Sequence, residues 1–324
     1  MRLTTLLALA GHSICVKQGE HGYEGFPTPG ETVIPIGGEL YKIKDFLGAG
    51  PKKRAYRAQR IKSNDTLRSQ VYTVPKEPGA LYRGHALPDE LVVKCSATDQ
   101  PKRKNKLESE YKSLLFLNEL RSVRKPIGLY LSRQWKCFDD SEFVCQYMAM
   151  TMASLDLQKI IGRHDADLKA PIIDRVAPKR RDGKYSFELF MASFALSLIA
   201  ELEKLHAVGL VHRDISFKNV ALDPSDRSQV FLIDMGSSGF LLNYSLEKVE
   251  RLVKRDFLRV RRITMQLIEQ GVMNAYPEET DPATNELHMA LENTETKWEI
   301  RMALLRFLKE KFPNVRYDGR VIYH

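Results

Sequence analysis

Cysteine is scarce in this sequence. The 324 residues hold four, Cys15, Cys95, Cys137 and Cys145, with no Cys-x-x-Cys pair. That excludes a dense disulfide framework and reads as reduced thiols in a cytoplasmic or nuclear protein. Long apolar runs are also missing: none approaches the roughly eighteen residues of a membrane-crossing helix, so no membrane partner is expected. No internal repeat recurs, and aromatic residues do not interleave with basic ones as they would on a single-strand nucleic-acid platform. What remains is 43% hydrophobic and 28% charged, the balance of a soluble globular chain long enough for one large core or two lobes.

Two features complicate that picture. The segment from Met1 to Gly11 carries Arg2 and a short apolar stretch with Ala8-Leu9-Ala10, so secretion stands as the alternative localisation. Asn64-Asp65-Thr66 and Asn243-Tyr244-Ser245 are glycosylation sequons, a pattern that arises often by chance. The formal charge is +9, concentrated in Lys52-Lys53-Arg54, Lys102-Arg103-Lys104-Asn105-Lys106 and Lys179-Arg180-Arg181. We read these clusters as solvated loops, and nucleic acid is not required to explain them. An acidic partner or an import receptor is the functional alternative. No feature sets an oligomeric state.

Along the chain, residues 1–40 are Gly- and Pro-rich and read as an irregular extension. Alternation then predicts strands over Tyr41–Leu47, Ala55–Ala58 and Glu90–Cys95, with a polar insertion at about 62–88. Leu107, Tyr111, Leu114, Leu115 and Leu117 predict a helix, and strands follow from Leu129 to Phe138 and Glu142 to Thr151. A charged insertion at about 162–185 precedes a helix from Phe187 to Leu205, closed by Gly209. Further helices are read from Arg255 through Leu267 and from Trp298 to Phe312. Strands first and helices second predict an α+β arrangement in two segregated lobes.

The chemistry is concentrated in His212-Arg213-Asp214-Ile215-Ser216-Phe217-Lys218-Asn219 and in Asp234-Met235-Gly236. The first is preceded by Leu205-His206-Ala207-Val208-Gly209-Leu210-Val211 and the second by the strand Val230–Ile233. These motifs, with their flanks, resemble the eukaryotic protein kinase superfamily, whose catalytic loop is H-R-D-x-x-x-x-N and whose metal motif is D-F-G. The resemblance covers roughly Tyr41 to Gln270. It implies a two-lobed protein-kinase-like fold, with a β-rich N-lobe over 41–153 and a helical C-lobe over 154–324.

The same resemblance implies a phosphotransferase that uses ATP and Mg²⁺. Asp214 is the expected base for the accepting hydroxyl, and Asn219 and Asp234 are the expected metal ligands. Gly48-x-Gly50-x-x-Lys53-x-Ala55 resembles the family's glycine-rich loop, with Lys53 where the third glycine would stand and Ala55 where a valine usually packs on adenine. Lys94 ends Val92-Val93-Lys94 and is the expected phosphate-contacting lysine. Glu110 is its expected partner, because Leu114 and Leu117 complete the family's face, with Glu108 as the alternative. Met150 and Met152 are the expected gatekeeper and hinge beside the adenine. His206 and His212 are read as scaffold histidines, and Asp256 as the aspartate that anchors the catalytic loop.

The sequence also departs from the family. No A-P-E motif follows Asp234, and only 21 residues, 235–255, separate it from Asp256. Ser216 stands where serine/threonine kinases carry a lysine, and Lys218 is the residue that could reach the transferred phosphate. The expected function is therefore a divergent protein kinase acting on Ser or Thr, with Tyr not excluded, and with a protein as substrate partner. A pseudokinase scaffold or a kinase of a small alcohol is the alternative.

Overall fold

The computed structural model describes residues 8–9, 12–13, 26–50, 53–61, 80–81, 87–98, 106–120, 123, 125–126, 128–134, 144–152, 187–222, 230–269, 282–317 and 321–323. The insertion at 162–185, Cys15, Cys137, the Asn64 sequon, the 102–105 and 179–181 basic clusters and most of 62–88 lie outside them.

An antiparallel sheet of seven strands builds the first lobe. Its order is Val33–Ile36, Glu39–Gly50, Lys53–Arg60, Glu90–Thr98, Val144–Met150, Gly128–Gln134 and Ala80–Leu81. Successive side chains on a strand point to opposite faces, and the burial follows that alternation. Ile34, Ile36, Tyr41, Ile43, Tyr56, Ala58, Leu91, Val93, Cys95, Tyr147 and Ala149 form one buried cluster. Met148 and Met150 turn the other way, into the larger cluster shared with the helices. Burial pushes the Cys95 thiol far up, so it stays protonated and serves as a small apolar filler.

Residues 1–40 are not wholly irregular, as the sequence suggested. Val33–Ile36 is an edge strand paired with Glu39–Lys42, and Tyr147 donates its hydroxyl to the Pro35 carbonyl at 3.0 Å. Its Ile-Pro-Ile core is short and interrupted by a residue without an N–H, which hid the strand; Pro is tolerated at such an edge. Likewise Ala80–Leu81, inside the predicted 62–88 insertion, pairs with Tyr130 and Leu131 at the opposite edge.

The helix Lys106–Leu120 packs against this sheet through Leu107, Tyr111, Leu114 and Leu117, all buried. The second lobe surrounds Phe187–Ala207, which is buried on almost every side and ends at Gly209, with φ +81. Against it lie the helices Leu246–Ile268, Pro282–Glu292 and Lys297–Lys311. The first begins nine residues before the expected Arg255 start. Its early turns are dominated by exposed Glu247, Lys248, Glu250, Arg251 and Lys254, which masked the continuing apolar stripe. Pro282–Glu292 was not expected at all; it buries only Thr284, Leu287 and Leu291. Lys297–Lys311 opens with a capping box between Thr296 and Glu299. Among the described residues no helix is long and apolar enough to cross a membrane. The α+β class, with a strand-rich first lobe and a helical second, is the one the sequence predicts.

Candidate active site

Sheet register assembles the first wall. Gly48 is paired with Ala55, Ala55 with Lys94, and Lys94 with Met148, so one row crosses four strands on one face. Val92 and Met150 form the next row. That face looks onto the Lys106–Leu120 helix, which carries Glu110, itself fully buried. Lys94 Nζ lies 2.5 Å from Glu110 Oε1. Glu108 instead faces solvent and pairs with Lys112 at 2.6 Å, one helical turn on. Met150 is 3% exposed whereas Met152, just past the strand, is 38% exposed.

The second wall is the loop from His212 to Asn219. Arg213 adopts φ 69, a left-handed conformation that costs a non-glycine residue free energy because of its Cβ. Asp256, buried in the Leu246–Ile268 helix, stabilises it. Its carboxylate accepts the His212 and Arg213 backbone N–H groups, each at 2.9 Å, and the His206 ring Nε2–H at 3.0 Å. Burial lowers the His212 pKa despite the opposing charge of Asp256, so the ring is neutral. Its Nε2–H donates to the Ile233 carbonyl at 3.1 Å, which leaves Nδ1 to accept from the Asp214 N–H at 3.4 Å. One neutral tautomer thereby ties the loop to the strand leading into Asp234.

Asn219 ends a short 3₁₀ turn and begins the strand Val220–Leu222, which pairs with Val230–Leu232. Its Nδ2 donates to the Asp214 carbonyl at 2.8 Å, and the Ile233 N–H donates to its own carbonyl at 3.0 Å. The amide side chain therefore presents its carbonyl oxygen as the remaining polar end. Asp214 is half-buried; Lys218, in the middle of the 3₁₀ turn, is exposed.

Asp234 also sits in the left-handed region, φ 59, and its carboxylate accepts the Gly236 N–H at 3.3 Å. Lys94 Nζ is 3.5 Å away. Burial would raise the Asp234 pKa, but Lys94, Lys53 and the Gly236 N–H outweigh it and hold the carboxyl near about 2. For Lys94, burial works against the ammonium, yet Glu110 and Asp234 together raise its pKa. Both groups are charged. Met235 is fully buried in the shared core, so the position between Asp234 and Gly236 packs as an apolar residue should.

The sequence did not reveal what secures the segment after Gly236. The Ser238 hydroxyl lies 2.7 Å from the Met235 carbonyl and 2.8 Å from the Ser113 hydroxyl on the Lys106–Leu120 helix. Gly239 and Phe240 pair with Val211 and Leu210. A Cβ at Gly239 would stand 2.6 Å from the Tyr244 hydroxyl, so glycine permits that closeness. Arg213 Nη1 donates to the same hydroxyl at 2.9 Å. Lys53 was equally unassigned: its Nζ reaches Glu110 Oε2 at 3.3 Å. The available signal was alternation, since Lys53 and Ala55 share a sheet face.

Residues present suit a Mg²⁺-polyphosphate. Among the described residues no cluster of three His, Cys, Asp or Glu side chains could hold a metal ion unaided. An ionised Asp234 and a neutral Asn219 amide match an ion that takes few protein oxygens and fills its shell with phosphate and water.

No protein-family model matches the chain, and no curated protein matches it. Among solved structures, vaccinia related kinase 3 is similar at 14% sequence identity and a TM-score of 0.48, over 88% of this chain and 92% of that one.

Proposed function

We propose that the chain is a phosphotransferase that moves the γ-phosphoryl group of ATP to a hydroxyl, with Mg²⁺, most directly to Ser or Thr of a protein. One observation carries this reading. Lys94, Glu110 and Asp234 come from a strand, a helix and a turn remote in sequence, and form one charged array beside the Asp214–Asn219 loop. Structural ion pairs also occur at such depth; the catalytic reading is supported by the backbone bond from Ile233 N–H to the Asn219 carbonyl, which ties the loop carrying Asp214 to the strand leading into Asp234.

The roles follow from the donor and acceptor properties of each group. Lys94, oriented by Glu110, offers an ammonium to phosphate oxygens. Asp234 and Asn219 are the oxygens that would hold Mg²⁺, which supplies neutralisation of phosphate charge when bound. Asp214 accepts the hydrogen bond of the incoming hydroxyl. As the new O–P bond forms and the bond to the β-phosphate oxygen breaks, the hydroxyl proton passes to the Asp214 carboxylate. Leu242 and Leu246, 96% and 75% exposed, project from the segment after Asp234 and support a protein acceptor over a small polar alcohol.

Transfer of radiolabelled γ-phosphate to protein acceptors tests this. Asp214→Ala is expected to lower the rate by about 10²–10⁴, the scale of a lost general base, and Asp234→Ala to abolish it. Equal transfer by both variants and the wild type would sink the assignment.

A further inference from the structure

Two ammonium groups, not one, meet Glu110. Lys94 takes Oε1 at 2.5 Å and Lys53 takes Oε2 at 3.3 Å. Lys53 is paired with Gly50 at the end of the two strands that carry Gly48 and Ala55, and is thus delivered from the glycine-rich segment. Its side chain is 21% exposed, so the ammonium lies at the cleft rather than sealed within the core. Directly beneath it is Gly236. A Cβ there would lie 2.7 Å from Lys53 Nζ, 3.1 Å from Asp234 Oδ1 and 3.4 Å from Glu110 Oε2. The missing side chain at Gly236 is what admits the lysine between the two carboxylates.

From this geometry, we propose that Lys53 is a second phosphate-binding ammonium of the donor site, held on Glu110 until a nucleotide polyphosphate takes it. The proposal rests on the phosphotransferase reading above and adds a binding residue to it.

Charge supplies the reason. Lys53, Lys94, Glu110 and Asp234 cancel as a group. Without Lys53 the cluster would carry an excess negative charge facing a magnesium–triphosphate that is itself negative, and like charges at this depth repel. Glu110 does not need Lys53 for its own neutralisation, because Lys94 is already closer. The longer Glu110–Lys53 contact is the one easier to exchange for a phosphate oxygen. The flexible four-carbon stem lets the ammonium move without moving the strand. The contact depends on phosphate count: a nucleotide ending at the α-phosphate offers little for a residue placed over Asp234 and Gly236.

Calorimetric titration of the full chain with ATP and with AMP, each with Mg²⁺, tests this in the wild type, Lys53→Met and Lys53→Arg. The expected result is that Lys53→Met weakens ATP binding roughly ten- to a hundredfold, the scale of a charge-assisted hydrogen bond, and changes AMP binding little. Lys53→Arg should keep most of the ATP affinity. If Lys53→Met fails to fold, Lys53→Gln carries the same expectation. Unchanged or tighter ATP binding by the neutral variant would overturn the role of Lys53 alone, and so would an equal loss for ATP and AMP. A wild type that binds neither nucleotide would overturn the donor-site reading along with it.

Discussion

Asp234 is held at the cleft by Lys94 and the Gly236 N–H, and its ionisation is where chemistry and stability meet. With a carboxyl pKa near about 2 in place of 3.8, its charged form contributes stability that is complete above about pH 4. That contribution is lost as pH falls from 3.8 toward about 2. Because the side chain is 39% exposed, solvent screening keeps the effect modest. Urea midpoints followed from about pH 5 down to about pH 2 should converge between wild type and Asp234→Asn as the acid end is reached. Curves that stay parallel throughout would show that the ion pairs do not set the shift. The same residue scale explains the choice between Glu108 and Glu110. Two positions along a helix is a rotation of about 200°, so only one of the two could face Lys94, and burial among Leu107, Tyr111 and Leu114 selected Glu110.

At the scale of elements, the Leu246–Ile268 helix fixes the catalytic loop through one residue. Asp256 serves three donors, two of them backbone N–H groups of a strained turn. Asp256→Ala should cost about 1–3 kcal/mol for each buried donor left unpaired, read as a shift in urea midpoint. Transfer to acceptor should fall more than ATP affinity, because the loop carries Asp214 while Lys94 sits on the sheet. Equal loss of both would mean that the helix supports the whole cleft rather than the loop. The role of Asp256 was implied by the family resemblance of Arg255-Asp256-Phe257, and its contacts with the His212 and Arg213 N–H groups agree with it. The helix start was not legible, since exposed charge hid the apolar stripe between Leu246 and Leu252. Gly48 makes a related point about the sheet: a Cβ there meets nothing within 4 Å. Glycine is thus not required by the fold at that position, and its smallness matters only for a ligand approaching from the cleft.

At the scale of the molecule, two buried clusters divide the work. One lies wholly on the outer face of the sheet. The other runs from Met148 and Met150 through the Lys106–Leu120 helix into the Phe187–Ala207 helix and Met235. The cleft is therefore built across a continuous core, and the Ser113–Ser238 contact adds a polar tie between the lobes. Leu202, fully buried in the central helix, should be a stability residue and nothing more. Leu202→Ala is expected to destabilise by about 2–5 kcal/mol while leaving nucleotide affinity per folded molecule unchanged. A changed affinity at full folding would show that the central helix transmits strain to the cleft.

The sequence alone determined the α+β order, the loop from His212 to Asn219 and the Asp234 turn. These depend on short-range periodicity and on motifs whose residues stand within a few positions of each other. Only the tertiary structure decided which sheet face carries Gly48, Ala55 and Lys94 toward Glu110, that Val33–Ile36 joins the sheet, and that Tyr244 meets Arg213. It alone placed Lys53 on Glu110, a pair 57 residues apart. Such contacts follow from strand register and helix rotation, and a single slip of register would have turned the same residues to the opposite face.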